Sequence, residues 1–161
     1  MTKKVMVLMG GFSSEREVSL VSGKGIVKAL IKKGYDVIEH DLTDTKKLLK
    51  SLEKEQPDVI FNALHGNWGE DGTIQGLLDC LQIPYTHSGL MASCNGMDKQ
   101  VSKDIARLNG IPIAAGQCLS FSELSTKGTT IPMPFVVKPV SDGSSVGVFI
   151  VHNEDDRKNV H

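Results

Sequence analysis

No run of this sequence is apolar for long enough to cross a bilayer, and the five apolar residues after Met1-Thr2-Lys3-Lys4 are too few for a secretory hydrophobic region. A net charge of -1 offers no basic surface to nucleic acid or to a membrane. The cysteines (Cys80, Cys94 and Cys118) are odd in number and scattered, with neither CxxC nor His/Cys ligand spacing. They are therefore expected to be buried free thiols in a reducing compartment, with no metal site among them and a cytoplasmic location for the chain. Gly143-Ser144-Ser145 is not a Walker A loop, which needs Gly-Lys-Ser/Thr opening a helix. Gly10-Gly11-Phe12-Ser13-Ser14-Glu15 is not GxGxxG, which argues against hydride-transfer nucleotide binding. Internal repeats, heptads and low-complexity tracts are also lacking.

What is present supports a packed core, with 40% hydrophobic and 23% charged residues in 161. The short apolar run Val5–Met9 meets Gly10-Gly11 and then a segment of helical spacing, with Val18, Val21, Gly25 and Ala29 predicted inward and Lys24, Lys28 and Lys32 outward. Ser13 or Ser14 is expected to cap this helix, and Gly34 to stop it. Further strands are predicted over 35–40, 59–64 and 83–86, with helices between them carrying Leu48, Leu49 and Leu52, then Ile74, Leu77, Leu78 and Leu81. This β-α-β-α-β-α-β order argues an α/β fold: an open parallel sheet with helices on both faces. The character changes after Ser88-Gly89, and the domain boundary is set at 92/93. Asp98 reads as the N-cap of a helix with Val101, Ile105 and Leu108 inward; 113–121 reads as a strand and 122–130 as a polar connection. Strands over 135–139 and 146–151 follow, then a capped turn at Asn153, so this α+β part is expected to be cut short.

Glu15 stands where the first strand turns into a helix. It can be a capping residue, or it can present a carboxylate to an ammonium group at the C-terminal edge of the sheet. His65 ends the third strand at the same edge and is as open between a structural and a functional role. Glu70 and Asp71 can be first-turn or site-shaping residues, and Trp68 a lid-like contact or a surface staple. Lys99 occupies a first turn, against the helix dipole, which hints at an anion partner. Between two strands, Gly143-Ser144-Ser145-Val146-Gly147 exposes backbone N–H groups beside Lys138. Gly-Ser-Ser alone suits an ordinary hairpin, and the lysine on the incoming strand turns the reading toward a polyphosphate.

Taken together, Met9–Leu20, Ala63–Gly76, Pro84–Gly89, Met97–Lys99, Val136–Pro139 and Asp142–Gly147 closely resemble the D-alanine–D-alanine ligase family of the ATP-grasp superfamily, in order along the chain. The resemblance implies a Rossmann-like, pre-ATP-grasp substrate domain over 1–92 and the truncated first part of an ATP-grasp nucleotide-binding domain over 93–161. It implies ATP-dependent joining of two D-alanines through an acyl phosphate, for peptidoglycan, with ATP and Mg²⁺ required. Lys99 and Lys138 match the family's phosphate lysines, and Gly143, Ser144, Ser145, Val146 and Gly147 its phosphate-covering loop. Glu15 matches the residue on the first D-alanine's ammonium, and Ser144 the serine of the catalytic Glu–Ser–Tyr set. His65 matches a histidine near the substrate carboxylate. The tyrosine, the ω-loop, the transition-state arginine and the Mg²⁺ ligands lie beyond the matched region. A chain of this extent is therefore expected to be inactive alone, though the family's usual homodimer contact can survive. A non-catalytic remnant and a D-alanine–D-lactate ligase are the alternatives.

Overall fold

The computed structural model describes residues 2–160. The chain divides into two compact units, Met1–Asn95 and Gly96–His161.

In the first unit, β1 (Lys4–Gly10), β2 (Asp36–Leu42) and β3 (Val59–Asn62) form a parallel sheet in the order β2-β1-β3. The central strand β1 aligns Val5 with Val37 on one side and with Val59 on the other. It is buried on both faces, which is why Val5 to Met9 is an unbroken apolar run. Met6 and Leu8 point into a core built with Leu48 and Leu52 of α2 (Thr45–Glu55) and Ile74 and Leu78 of α3 (Thr73–Cys80). Val7 and Met9 point the other way, against Val27 of α1 (Arg16–Lys32). Helices thus cover both faces, as the α/β pattern predicts. The expected fourth strand is reduced to one parallel bridge, Ile60 to Tyr85.

Two expectations about helices need correction. The period of α1 is right but its phase is not: Ser19, Gly23 and Val27 are buried, while Val18 and Val21 are exposed. Small residues face the sheet because helix and strand approach closely. A Cβ at Gly23 would stand 2.6 Å from Met9 Cβ. A helix, α4 (Leu90–Met97), also follows Gly89 where the pattern showed none.

In the second unit, Asp98 caps α5 (Lys99–Leu108) by accepting from Gln100 N–H at 2.8 Å and Val101 N–H at 2.9 Å. Val101, Ile105 and Leu108, expected inward, are exposed. The strand expected over 113–121 finds no ladder among the described residues, and 111–120 runs as irregular chain. The polar connection after it contains a helix, α6 (Phe121–Lys127), closed by a capping box between Ser120 and Glu123. Strands β4 (Phe135–Val137) and β5 (Phe149–Val151) pair antiparallel, and α7 (Glu154–Lys158) starts at its Asn153 cap. All three cysteines are exposed, against the expectation of burial; Cys94 Sγ donates to Asp71 O at 3.1 Å.

Candidate functional site

At the C-terminal edge of the parallel sheet, Gly10 and Gly11 turn the chain with φ of 82° and 89°. The buried Ser19 hydroxyl fixes this turn. It accepts from Gly10 N–H at 2.9 Å and donates to Ala63 O at 2.7 Å, so one side chain of α1 ties together the ends of β1 and β3. Outside it, Arg16 grips Asp41 at the end of β2 through two bonds of 2.8 and 2.7 Å and donates to Gly11 O. That bond and the guanidinium charge hold the Asp41 carboxyl below its ordinary range.

Glu15 is the N-cap residue of α1, and its side chain makes no capping bond. Neither Ser13 nor Ser14 caps there. Ser13 instead accepts from Glu15 N–H at 3.1 Å and donates to His65 O at 2.7 Å. The Glu15 carboxylate rests against Gly66, where an added Cβ would lie 2.9 Å from Glu15 Oε2. The structure therefore brings Glu15 and His65 together across two loops. His65 Nδ1 stands 3.8 Å from Glu70 Oε1, and its Nε2 is buried without a protein partner.

The loop over 66–72 is held from below. Asn62 and Gln75 both donate to Gly69 O at 2.8 Å, and Gly66 N–H donates to Glu70 Oε2 at 2.7 Å. Glu70 and Asp71 precede α3 rather than forming its first turn. Asp71 accepts from Trp68 N–H and Thr73 N–H, each at 2.9 Å. Burial pushes the Asp71 carboxyl up, but the backbone bonds from Trp68 and Thr73 outweigh it and hold the group below 3.8. Trp68 adopts φ of 74°, unusual for a bulky residue, and meets the Phe12 ring edge-on at 5.0 Å. Phe12, Ser19, Asn62 and Gln75 went unread in the sequence.

In the second unit, Lys99 and Lys138 line one cleft of about 830 Å³, with Lys103, Gln117 and Val140 among the other walls. Lys99 Nζ donates to Val140 O at 3.1 Å and to Asp142 O at 2.5 Å, which gives this first-turn lysine carbonyl partners. In the following loop, Ser144, Ser145 and Gly147 have φ of 52°, 62° and 65°. Val146 N–H reaches Gly143 O, and a Cβ at Gly147 would stand 2.9 Å from Pro139 Cγ, so the loop folds back on the β4 end. Left-handed residues in succession, after the Asp142 carbonyl that Lys99 holds, can present backbone N–H groups to an anion. Among the described residues no group of three His, Cys, Asp or Glu side chains is placed to hold a metal ion. No helix of the described residues is long and apolar enough to cross a membrane.

A family model described as the N-terminus of D-ala D-ala ligase matches residues 4–57 and 40–88. The D-alanine–D-alanine ligase of Parvibaculum lavamentivorans is 52% identical over 155 residues, which is 96% of this chain and 49% of that protein. A crystal structure of D-alanine–D-alanine ligase from Bacillus anthracis superposes with a TM-score of 0.78 at 38% identity, covering 98% of this chain and 52% of that one. The same Bacillus anthracis enzyme complexed with ATP gives 0.74 at 36%, covering 98% and 53%. The chain spans about half the length of the relatives it matches.

Proposed function

The chain belongs to the family of D-alanine–D-alanine ligase N-termini, and from that premise we propose that it is the amino-acid-holding and phosphate-gripping part of an ATP-dependent ligase that makes D-alanyl-D-alanine for peptidoglycan. The observation that carries the reading is the Glu15 carboxylate, free of any capping duty and set against His65-Gly66 at the sheet's C-terminal edge.

In this reading residues 1–92 form the substrate domain and 93–161 begin the nucleotide-binding domain. Glu15 binds the ammonium of the first D-alanine, and His65 lies near that substrate's carboxylate. Lys99 and Lys138 neutralise ATP phosphates, and the loop from Gly143 through Ser145 and Val146 to Gly147 covers them, with Ser144 helping to align the substrate. One D-alanine carboxylate attacks the γ-phosphate and ADP leaves. The amine of a second D-alanine then attacks the acyl phosphate and displaces inorganic phosphate. The residues named here position and neutralise charge, and none becomes covalently bonded. Mg²⁺, the tyrosine of the substrate-aligning set and the transition-state arginine come from sequence beyond the match. Two copies associate through the N-terminal domain, in the cytoplasm.

D-alanine-dependent ADP release by the protein at its full natural length tests this. Glu15→Gln removes a charge-assisted bond worth about 1.5–3 kcal/mol, so KM for D-alanine should rise roughly 10- to 100-fold while KM for ATP stays within about twofold. Equal loss of both would count against Glu15 as the ammonium partner. No ADP release by the unmodified protein would leave a non-catalytic remnant as the account.

A further inference from the structure

Two loops frame Glu15 and His65, and each carries one aromatic ring. Phe12 follows the Gly10-Gly11 turn, and Trp68 sits midway along the loop over 66–72. The rings meet at 5.0 Å with an interplanar angle of 69°, an edge-to-face contact. Phe12 is nevertheless 48% exposed, so the pair lies outside both buried cores of the first unit. Trp68 also holds a left-handed backbone that costs a bulky residue of this kind. That conformation is imposed from both sides of the residue: Asp71 Oδ2 accepts from Trp68 N–H at 2.9 Å, and Trp68 O accepts from Ile74 N–H at 3.1 Å. The result is an indole held away from the core and aimed at the opposite loop. A polar link between these loops runs from Ser13 Oγ to His65 O at 2.7 Å, and the Glu15 carboxylate lies against Gly66.

We propose that the Phe12–Trp68 ring pair is a latch that fixes the loop bearing Glu15 against the loop bearing His65, which makes both aromatics positioning residues for the amino-acid substrate. The proposal rests on the ligase reading for the identity of that substrate. The physical case is one of spacing. Glu15 can meet an ammonium and His65 a carboxylate of one small amino acid only if the two loops keep their separation. The Ser13 bond and the Ser19 tie fix the bases of the two loops, and the ring contact joins their tips.

Trp68 is the sole tryptophan of these 161 residues, so in this stretch expressed alone its emission reads the latch directly. Phe12→Ala should shift that emission to longer wavelength, and unchanged emission overturns the latch whatever the protein's activity. Steady-state kinetics of the full-length protein then test positioning. Phe12→Ala and Trp68→Ala should each raise KM for D-alanine by roughly three- to tenfold, with KM for ATP within about twofold. The double variant should be no worse than either single one, because the same contact is lost in all three. Trp68→Phe, which keeps a ring, should restore most of the affinity. Trp68→Gly accepts the left-handed backbone without strain, so it keeps the loop conformation while losing the ring, and it should bind D-alanine as poorly as Trp68→Ala. Multiplying effects in the double variant, or normal D-alanine KM in Trp68→Gly, would overturn the inference. Absence of D-alanine-dependent ADP release in the unmodified protein would instead strike the ligase reading, with the emission shift still deciding whether the latch exists.

Discussion

A side chain at Gly66 would have to share space with the Glu15 carboxylate and the Ser13 side chain, in a backbone of φ 66°. Gly66→Ala should therefore cost about 1–2 kcal/mol of stability from the left-handed conformation alone. It should also raise KM for D-alanine by displacing Glu15; chemical denaturation and kinetics measured on the same preparation separate the two effects. Asp71 makes a pH-dependent contribution with a definite sign. Its folded carboxyl titrates below 3.8, so it stabilises the protein above that value and the stabilisation is lost as pH falls through the folded value. Asp71→Asn keeps an acceptor and removes the charge, so its melting temperature should lie below the wild type's at neutral pH. The gap should narrow as pH drops beneath 3.8. A gap that does not change with pH would show the charge to be unimportant. At this scale the sequence was informative about Glu15 and His65, because strand ends and glycines put them at one edge. It was mute about the Phe12–Trp68 contact, since spacing along a chain says nothing of which loop tips meet.

Among the elements, α1 shows most clearly what periodicity can miss. The valines at 18 and 21 drew the apolar stripe, yet the buried face is Ser19, Gly23 and Val27 because the helix lies close to β1. Hydrophobic pattern measures greasiness, whereas close packing selects small size, and the two disagree here. Ser19→Ala should leave the buried Gly10 N–H and Ala63 O without their partner and cost about 1–3 kcal/mol in urea denaturation. Gly23→Ala forces a Cβ onto Met9 and should cost about 1–3 kcal/mol by overpacking. A neutral result at either would mean that α1 can shift without penalty. The caps at Asp98 and Asn153 were legible because the signal is local. The box at Ser120 and Glu123 carried the same signal but was lost within a polar stretch. The strand expected over 113–121 failed for a non-local reason: strand propensity needs a neighbouring ladder, and none of the described residues supplies one.

On the scale of the whole chain, buried apolar side chains are distributed unevenly. Among the described residues, Val151 is the one such side chain beyond residue 95, while both faces of the parallel sheet are closed within Met1–Asn95. Residues 1–95 expressed alone should melt cooperatively, and 96–161 alone should not, as followed by circular dichroism and amide exchange. A non-cooperative 1–95 would show that its sheet depends on later residues. The two-faced core has a consequence in time. At 5–20 residues per second a ribosome needs roughly 3–13 s to add residues 96 to 161, and domains fold as units in order of synthesis. Every strand and helix that frames Glu15 and His65 has already left the peptidyl-transferase centre when the codon for Lys99 is read. The edge that carries Glu15 and His65 is thus synthesised seconds before Lys138 and the loop from Gly143 to Gly147.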